Sequence, residues 1–111
     1  MKKLNIGQDF GTELTNRDKL QRDGKCSGLE FRQKYLQDID TENSWQSDEP
    51  YIELDFSLVK KLGPSWANEV FAYFAKYATP KKILTKVKII NISRVKESTI
   101  NVELEKGYAK K

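Results

Sequence analysis

An α/β domain, with helices packed on one face of a small mixed β-sheet, is what the sequence predicts, and three observations carry that prediction. Around Tyr51–Val59, the apolar side chains of Ile52, Leu54 and Phe56 alternate with Glu53 and Asp55, as they would on a short strand. Gly63-Pro64 then breaks the pattern, and Trp66, Val70, Phe74 and Tyr77 follow at helical spacing, widened by Phe71, Ala75 and Ala78. Along the whole chain, strand-like and helix-like patterns alternate, which is the order of a sheet with some parallel pairing. Right-handed crossovers then gather the helices on one side.

Taken in order, Lys3 to Phe10 reads as a first strand, with Leu4, Ile6 and Phe10 inward and Gly7 and Gly11 as punctuation. Residues 12–25 are mostly polar, with only Leu14 and Leu20 to bury, and read as a loop with room for a short extended piece. Ser27, with Glu30 three positions later, makes a capping-box pattern, so a helix is expected from Gly28 to about Asp38 that buries Phe31, Tyr35, Leu36 and Ile39. The polar stretch from Asp40 to Pro50 holds a lone Trp45, which either caps the core or serves as an exposed contact. Ser65 is the N-cap candidate of the central helix. That helix ends near Ala78, because a residue before proline is pushed away from helical angles. Lys82 to Ile92 reads as a mostly buried strand. From Ser93 a helix would bury Val95, Val102 and Leu104, although residues 99–104 also suit a strand. The core spans about residues 4–105 of a single domain, 1–111, with a charged tail from about 105 that frays.

Composition narrows the function. At 111 residues there is room for one core and no second domain. A 32% charged fraction and the lack of an apolar run near the roughly 18–20 residues of a membrane helix predict a soluble domain. The start, Met1-Lys2-Lys3 followed by a polar hexapeptide, is no signal-peptide core, so the expected location is the cytoplasm. With one cysteine, Cys26, there is no intramolecular disulfide. With no histidine there is no Ser-His or Cys-His triad and no His-ligated zinc. An enzyme is not expected, nor is a cofactor or a metal. Glu53 and Asp55, two apart on one strand face, are a weak metal or catalytic signal, and carboxylates so placed more often meet nearby lysines.

Charge is uneven. Residues 1–59 carry 8 basic and 12 acidic side chains, and residues 60–111 carry 12 basic and 4 acidic. Lys81, Lys82, Lys86, Lys88, Arg94 and Lys96 are candidates for a basic patch, which makes a nucleic-acid-binding accessory protein the alternative function. Against it, the aromatic residues of the second half sit at core spacing rather than among the basic ones. Gly24-Lys25-Cys26-Ser27 invites comparison with a phosphate-binding loop, but Lys19 stands where the leading glycine belongs. A weaker anion site using Lys25 and Ser27 at the start of the helix is the remaining form of that idea.

Three segments, RDGKCSGLEFRQKYL (22–36), IELDFSLVKKLGPSWANEVF (52–71) and KIINISRV (88–95), together resemble the prokaryotic STAS-like domain family of unknown function, related to the sulphate-transporter and anti-sigma-antagonist domain. The resemblance implies a STAS-like fold and a regulatory, non-enzymatic module of bacterial type whose partner is a protein, plausibly an ATPase of the histidine-kinase type. In the anti-sigma antagonists a kinase of that type phosphorylates a serine at the start of a helix, within an acidic-Ser-Ser-Gly turn. Here the turn falls on Gly63-Pro64-Ser65-Trp66. Ser65 matches the phosphorylated position, while Gly63, Pro64 and Trp66 depart from the pattern. The expected partner surface is Gly63, Pro64, Ser65, Trp66, Asn68 and Glu69, with Ser65 as cap, as switch, or as both.

Overall fold

The computed structural model describes residues 1–18 and 26–110. Three strands, β1 (Lys2–Asn5), β3 (Ile52–Asp55) and β5 (Val87–Ile90), form a sheet in the order β1-β3-β5, with β3 in the middle. Both ladders are parallel, with Lys3 opposite Glu53 and Glu53 opposite Lys88. Two further short strands, β2 (Glu13–Leu14) and β4 (Lys61–Leu62), pair parallel beside it. The α/β class therefore holds, and every described ladder is parallel where a mixed sheet was expected. The helices are α1 (Ile6–Asp9), α2 (Gly28–Tyr35), α3 (Pro64–Val70), α4 (Pro80–Lys86) and α5 (Arg94–Ala109), with 3-10 turns at Gln37–Ile39, Glu42–Trp45 and Ala72–Lys76.

Strand alternation fixes which side is covered. Ile52, Leu54 and Val87 are buried under the helices, while Glu53 and Asp55 on the opposite face stay half-buried and Lys3 and Lys88 are exposed. The core continues through aromatic contacts, with Phe31 and Trp66 rings 5.1 Å apart and Trp45 and Phe74 rings 5.3 Å apart. Trp45 is thus a core residue, and its Nε1 donates to the Ile39 carbonyl at 2.8 Å. Among the described residues no helix is long and apolar enough to cross a membrane.

Several expected elements take a different form. The first strand stops at Asn5, whose Oδ1 accepts from the Gln8 amide at 3.0 Å and so starts α1. The strand expected over 82–92 is shorter, because Thr79-Pro80 opens a helix. Thr79 caps it by accepting from the Lys82 amide, and Pro80, which lacks an N–H, occupies the first helical position. The helix of the central stretch is α only to Val70 and then tightens into the 3-10 turn 72–76. There α5 comes so close that a Cβ on Gly107 would lie 2.7 Å from Ala72 Cβ. Residues 99–104 are helical within α5, which buries Ile100, Glu103 and Leu104, whereas Val95 and Val102 face solvent. The helix also runs through the expected tail to Ala109.

Candidate functional site: the α3 helix and its entry turn

The route into α3 is built by backbone pairing. Lys60 and Lys61 amides donate to the Thr12 carbonyl at 2.7 and 3.1 Å, and the Gly63 amide donates to the Leu14 carbonyl at 2.8 Å. Gly63 is the N-cap in extended conformation and Pro64 follows at the first helical position. Ser65 is therefore not the cap. Proline's fixed φ and missing donor suit the position after the cap, which moves the boundary back by two residues. Ser65 is half-buried, and its hydroxyl makes no hydrogen bond among the described residues. Pro64 is exposed.

Behind Ser65 the helix is tied down on both sides. Trp66 is fully buried and its Nε1 donates to the Cys26 carbonyl at 3.1 Å, so it belongs to the core and not to the partner surface expected of it. Cys26 has φ 51°, and its Sγ lies 3.4 Å from the Phe10 carbonyl oxygen. Asn68 accepts from Arg17 Nη1 at 2.9 Å and donates to Glu103 Oε1 of α5 at 3.3 Å. Glu69 Oε2 takes two bonds from Arg32 of α2, at 3.2 Å from Nε and 2.8 Å from Nη2. Asn68 and Glu69 therefore clamp α3 between α2 and α5 instead of facing a partner. Helices α2 and α3 touch closely, since a Cβ on Gly28 would lie 2.9 Å from Glu69 Cβ.

The clamp extends further. Arg32 stacks 3.5 Å from the Tyr73 ring centroid and lies 3.7 Å from Asp40, which accepts from both the Tyr73 and Tyr77 hydroxyls at 2.8 Å. Burial pushes the Asp40 pKa up, but the two tyrosine hydroxyls and the charges of Lys76 and Arg32 outweigh it, and the net shift is down. The bond to Asp40 holds the Tyr77 proton, with burial and the carboxylate charge adding to it, and pushes its pKa up to about 12. This network, the main feature that sequence reasoning missed, joins residues far apart in the chain. Its one local signal is an arginine beside Phe31 in an otherwise apolar helix face.

The remaining expected sites are not gathered into one place. Ser27 is buried and its Oγ accepts the Glu30 amide at 3.1 Å, so it caps α2 and is closed to an anion. Lys25 lies outside the described residues. In the basic set, Lys86 is buried, donates to the Glu49 carbonyl at 3.1 Å and lies 5.8 Å from the Trp45 ring. Lys82 pairs with Asp48 at 3.7 Å. Lys86 therefore leaves the exposed set, and the others are distributed over α4 (Lys81, Lys82), β5 (Lys88, on the face opposite Val87) and the start of α5 (Arg94, Lys96). Among the described residues no group of three or more metal-ligating side chains converges.

The family model for a STAS-like domain of unknown function matches residues 28–97, more than half of the chain and inclusive of all of α2, β3, α3 and β5. The chain belongs to this STAS-like family. A search of curated proteins finds no match, and a search of solved structures finds none. Within the matched region of this STAS-like domain lie Ser65 and both ends of the Arg32–Glu69 clamp.

Proposed function

We propose that this STAS-like domain is a non-enzymatic regulatory module. It binds a protein partner, an ATPase of the histidine-kinase type, at the entry of α3. The observation that carries the reading is the contrast within one helix. Trp66, Asn68 and Glu69 are all engaged inside the molecule, whereas the Ser65 hydroxyl is unengaged beside the exposed Pro64. A rigid helix with one free hydroxyl at its entry offers a partner a fixed shape. A phosphoryl group there, carrying roughly −1.5 to −2 charges, changes that surface without dismantling the clamp behind it. Gly63 and Pro64 complete the contact.

The test is a pull-down from the source lysate with wild type, Ser65→Ala and Ser65→Asp in parallel, washed at low and high salt and read by mass spectrometry. The reading expects one ATPase of this type retained through high salt by wild type and Ser65→Ala and lost by Ser65→Asp. Equal retention by all three proteins removes the switch. Recovery of nucleic acid alone, stripped by salt, removes the protein-partner reading.

A further inference from the structure

Ser65, Asn68 and Glu69 share one stripe of α3, because residues three and four apart are neighbours on a helix. All three are half-buried, whereas Trp66, Ala67 and Val70 on the other side are buried. Helical side chains lean toward the N-terminus, so Asn68 and Glu69 reach back over the turn that holds Ser65. Their tips hold a cation there. Arg17 Nη1 donates to Asn68 Oδ1 at 2.9 Å and lies 3.7 Å from Glu69 Oε1. The segment before Arg17 runs beside the helix entry, where the Gly63 amide donates to the Leu14 carbonyl at 2.8 Å and a Cβ on Gly63 would lie 3.4 Å from Thr15 Cα. The Arg17 carbonyl accepts the Leu29 amide at 2.9 Å, which pins its backbone, while its side chain is 38% exposed. The guanidinium can therefore turn while the main chain stays still.

We infer that Arg17 receives a phosphoryl group placed on Ser65, turning from Asn68 and Glu69 to the phosphate one turn before them. The inference rests on the reading of Ser65 as a switch and names the side chain that senses the new charge. The ATPase partner supplies the group: Ser65 Oγ bonds to the γ-phosphorus of ATP, the hydroxyl proton is released and ADP leaves. A phosphate of roughly −1.5 to −2 charges so close to Glu69 calls for a cation, and Arg17 is already on that stripe. Its planar fork offers two parallel N–H bonds to phosphate oxygens, and such charge-assisted bonds are roughly twice as strong as neutral ones. What it leaves is one bond to a neutral amide and a looser contact with a carboxylate. Neither acceptor is stranded. Glu69 Oε2 keeps both bonds from Arg32, at 3.2 and 2.8 Å, and Asn68 Nδ2 keeps Glu103 Oε1 at 3.3 Å. The exchange thus moves one side chain and spares the clamp. The other cations near the entry, Lys60 and Lys61, precede the Gly63 turn, and Lys61 pairs with Glu13 at 3.8 Å.

The test uses the full chain with a genetically encoded phosphoryl group on Ser65, and phosphorus NMR follows the second ionisation of the phosphate, ordinarily near pH 6. The phosphate in the otherwise wild-type chain should hold its proton about threefold more weakly than in Arg17→Gln, which removes the cation. The double variant Lys60→Gln, Lys61→Gln should titrate as the wild type does. A second readout needs no substitution: the Arg17 Nε–H resonance should move on phosphorylation and titrate with the same midpoint as the phosphorus signal. Equal midpoints in wild type and Arg17→Gln, an effect that disappears in the lysine variant instead, or an Arg17 resonance that ignores phosphorylation would overturn the inference. No partner enters the measurement. A failed pull-down beside the expected titration removes the partner reading and keeps the role of Arg17, and the reverse pair of results removes Arg17 and keeps the partner.

Discussion

Replacing Glu69 by methionine removes the central acceptor of the clamp while keeping a side chain of similar length. Arg32 then stays in place with its side chain 10% exposed and its two bonds to Glu69 gone, leaving Asp40 at 3.7 Å as its remaining counterion. Breaking a buried pair from one side costs about 3–5 kcal/mol, and the residual Asp40 contact and the 17% exposure of Glu69 place this case near 3. For 111 residues the unfolding entropy is about 0.23 kcal/mol/K, so the midpoint should fall by about 13 °C. Adding Arg32→Met removes the stranded charge, and the double variant should recover at least half of that loss. Thermal unfolding followed by circular dichroism reads both numbers. A fall of less than about 3 °C in the single variant, or a further fall in the double, would refute the view that this pair clamps α3.

Two other predictions concern neighbouring contacts. Because the folded pKa of Tyr77 is raised from about 10 to about 12, its bond to Asp40 stabilises the fold fully below pH 10 and that contribution fades as pH rises through 12. Absorbance at 295 nm should therefore show a late tyrosinate step near pH 12 that Tyr77→Phe abolishes, and persistence of that step in the variant would contradict the assignment. Asp40 works in the opposite direction. Its lowered pKa supports stability above about 3.8, lost as pH falls through the depressed value, so the stability gap between wild type and Asp40→Asn should close only in strong acid. In Gly107→Ala, helix propensity favours alanine by about 1 kcal/mol, but the new Cβ would meet Ala72 Cβ at 2.7 Å and overpacking costs about 1–3 kcal/mol. A lower unfolding midpoint is expected, and a rise would show that α5 shifts without cost.

Local signals carried most of the architecture. The alternation of Ile52, Leu54 and Phe56 with acids marked the central strand, and Ser27 with Glu30 marked the start of α2, because both depend on neighbours in sequence. The errors have physical causes as specific. Pro64 and Pro80 read as breaks after what precedes them, yet each opens a helix as its first residue, which displaced the cap from Ser65 to Gly63 and hid α4 inside an expected strand. The short parallel pair β2-β4 rests on two residues per strand, too few for any periodicity. At the candidate site, Ser65 stood out as a hydroxyl at a helix entry. Asn68 and Glu69 showed only polarity, and their inward roles follow from Arg17, Arg32 and Glu103, between 35 and 51 positions away along the chain.

The proposed function requires that a protein partner contacts the entry of α3. Hydrogen exchange on the wild-type chain, alone and with the captured ATPase, shows whether it does. Slowed exchange confined to residues 60–66 and the facing segment 12–16 is the predicted result. Unchanged exchange there, with protection instead across residues 81–96, would contradict it and return the function to the basic half of the chain.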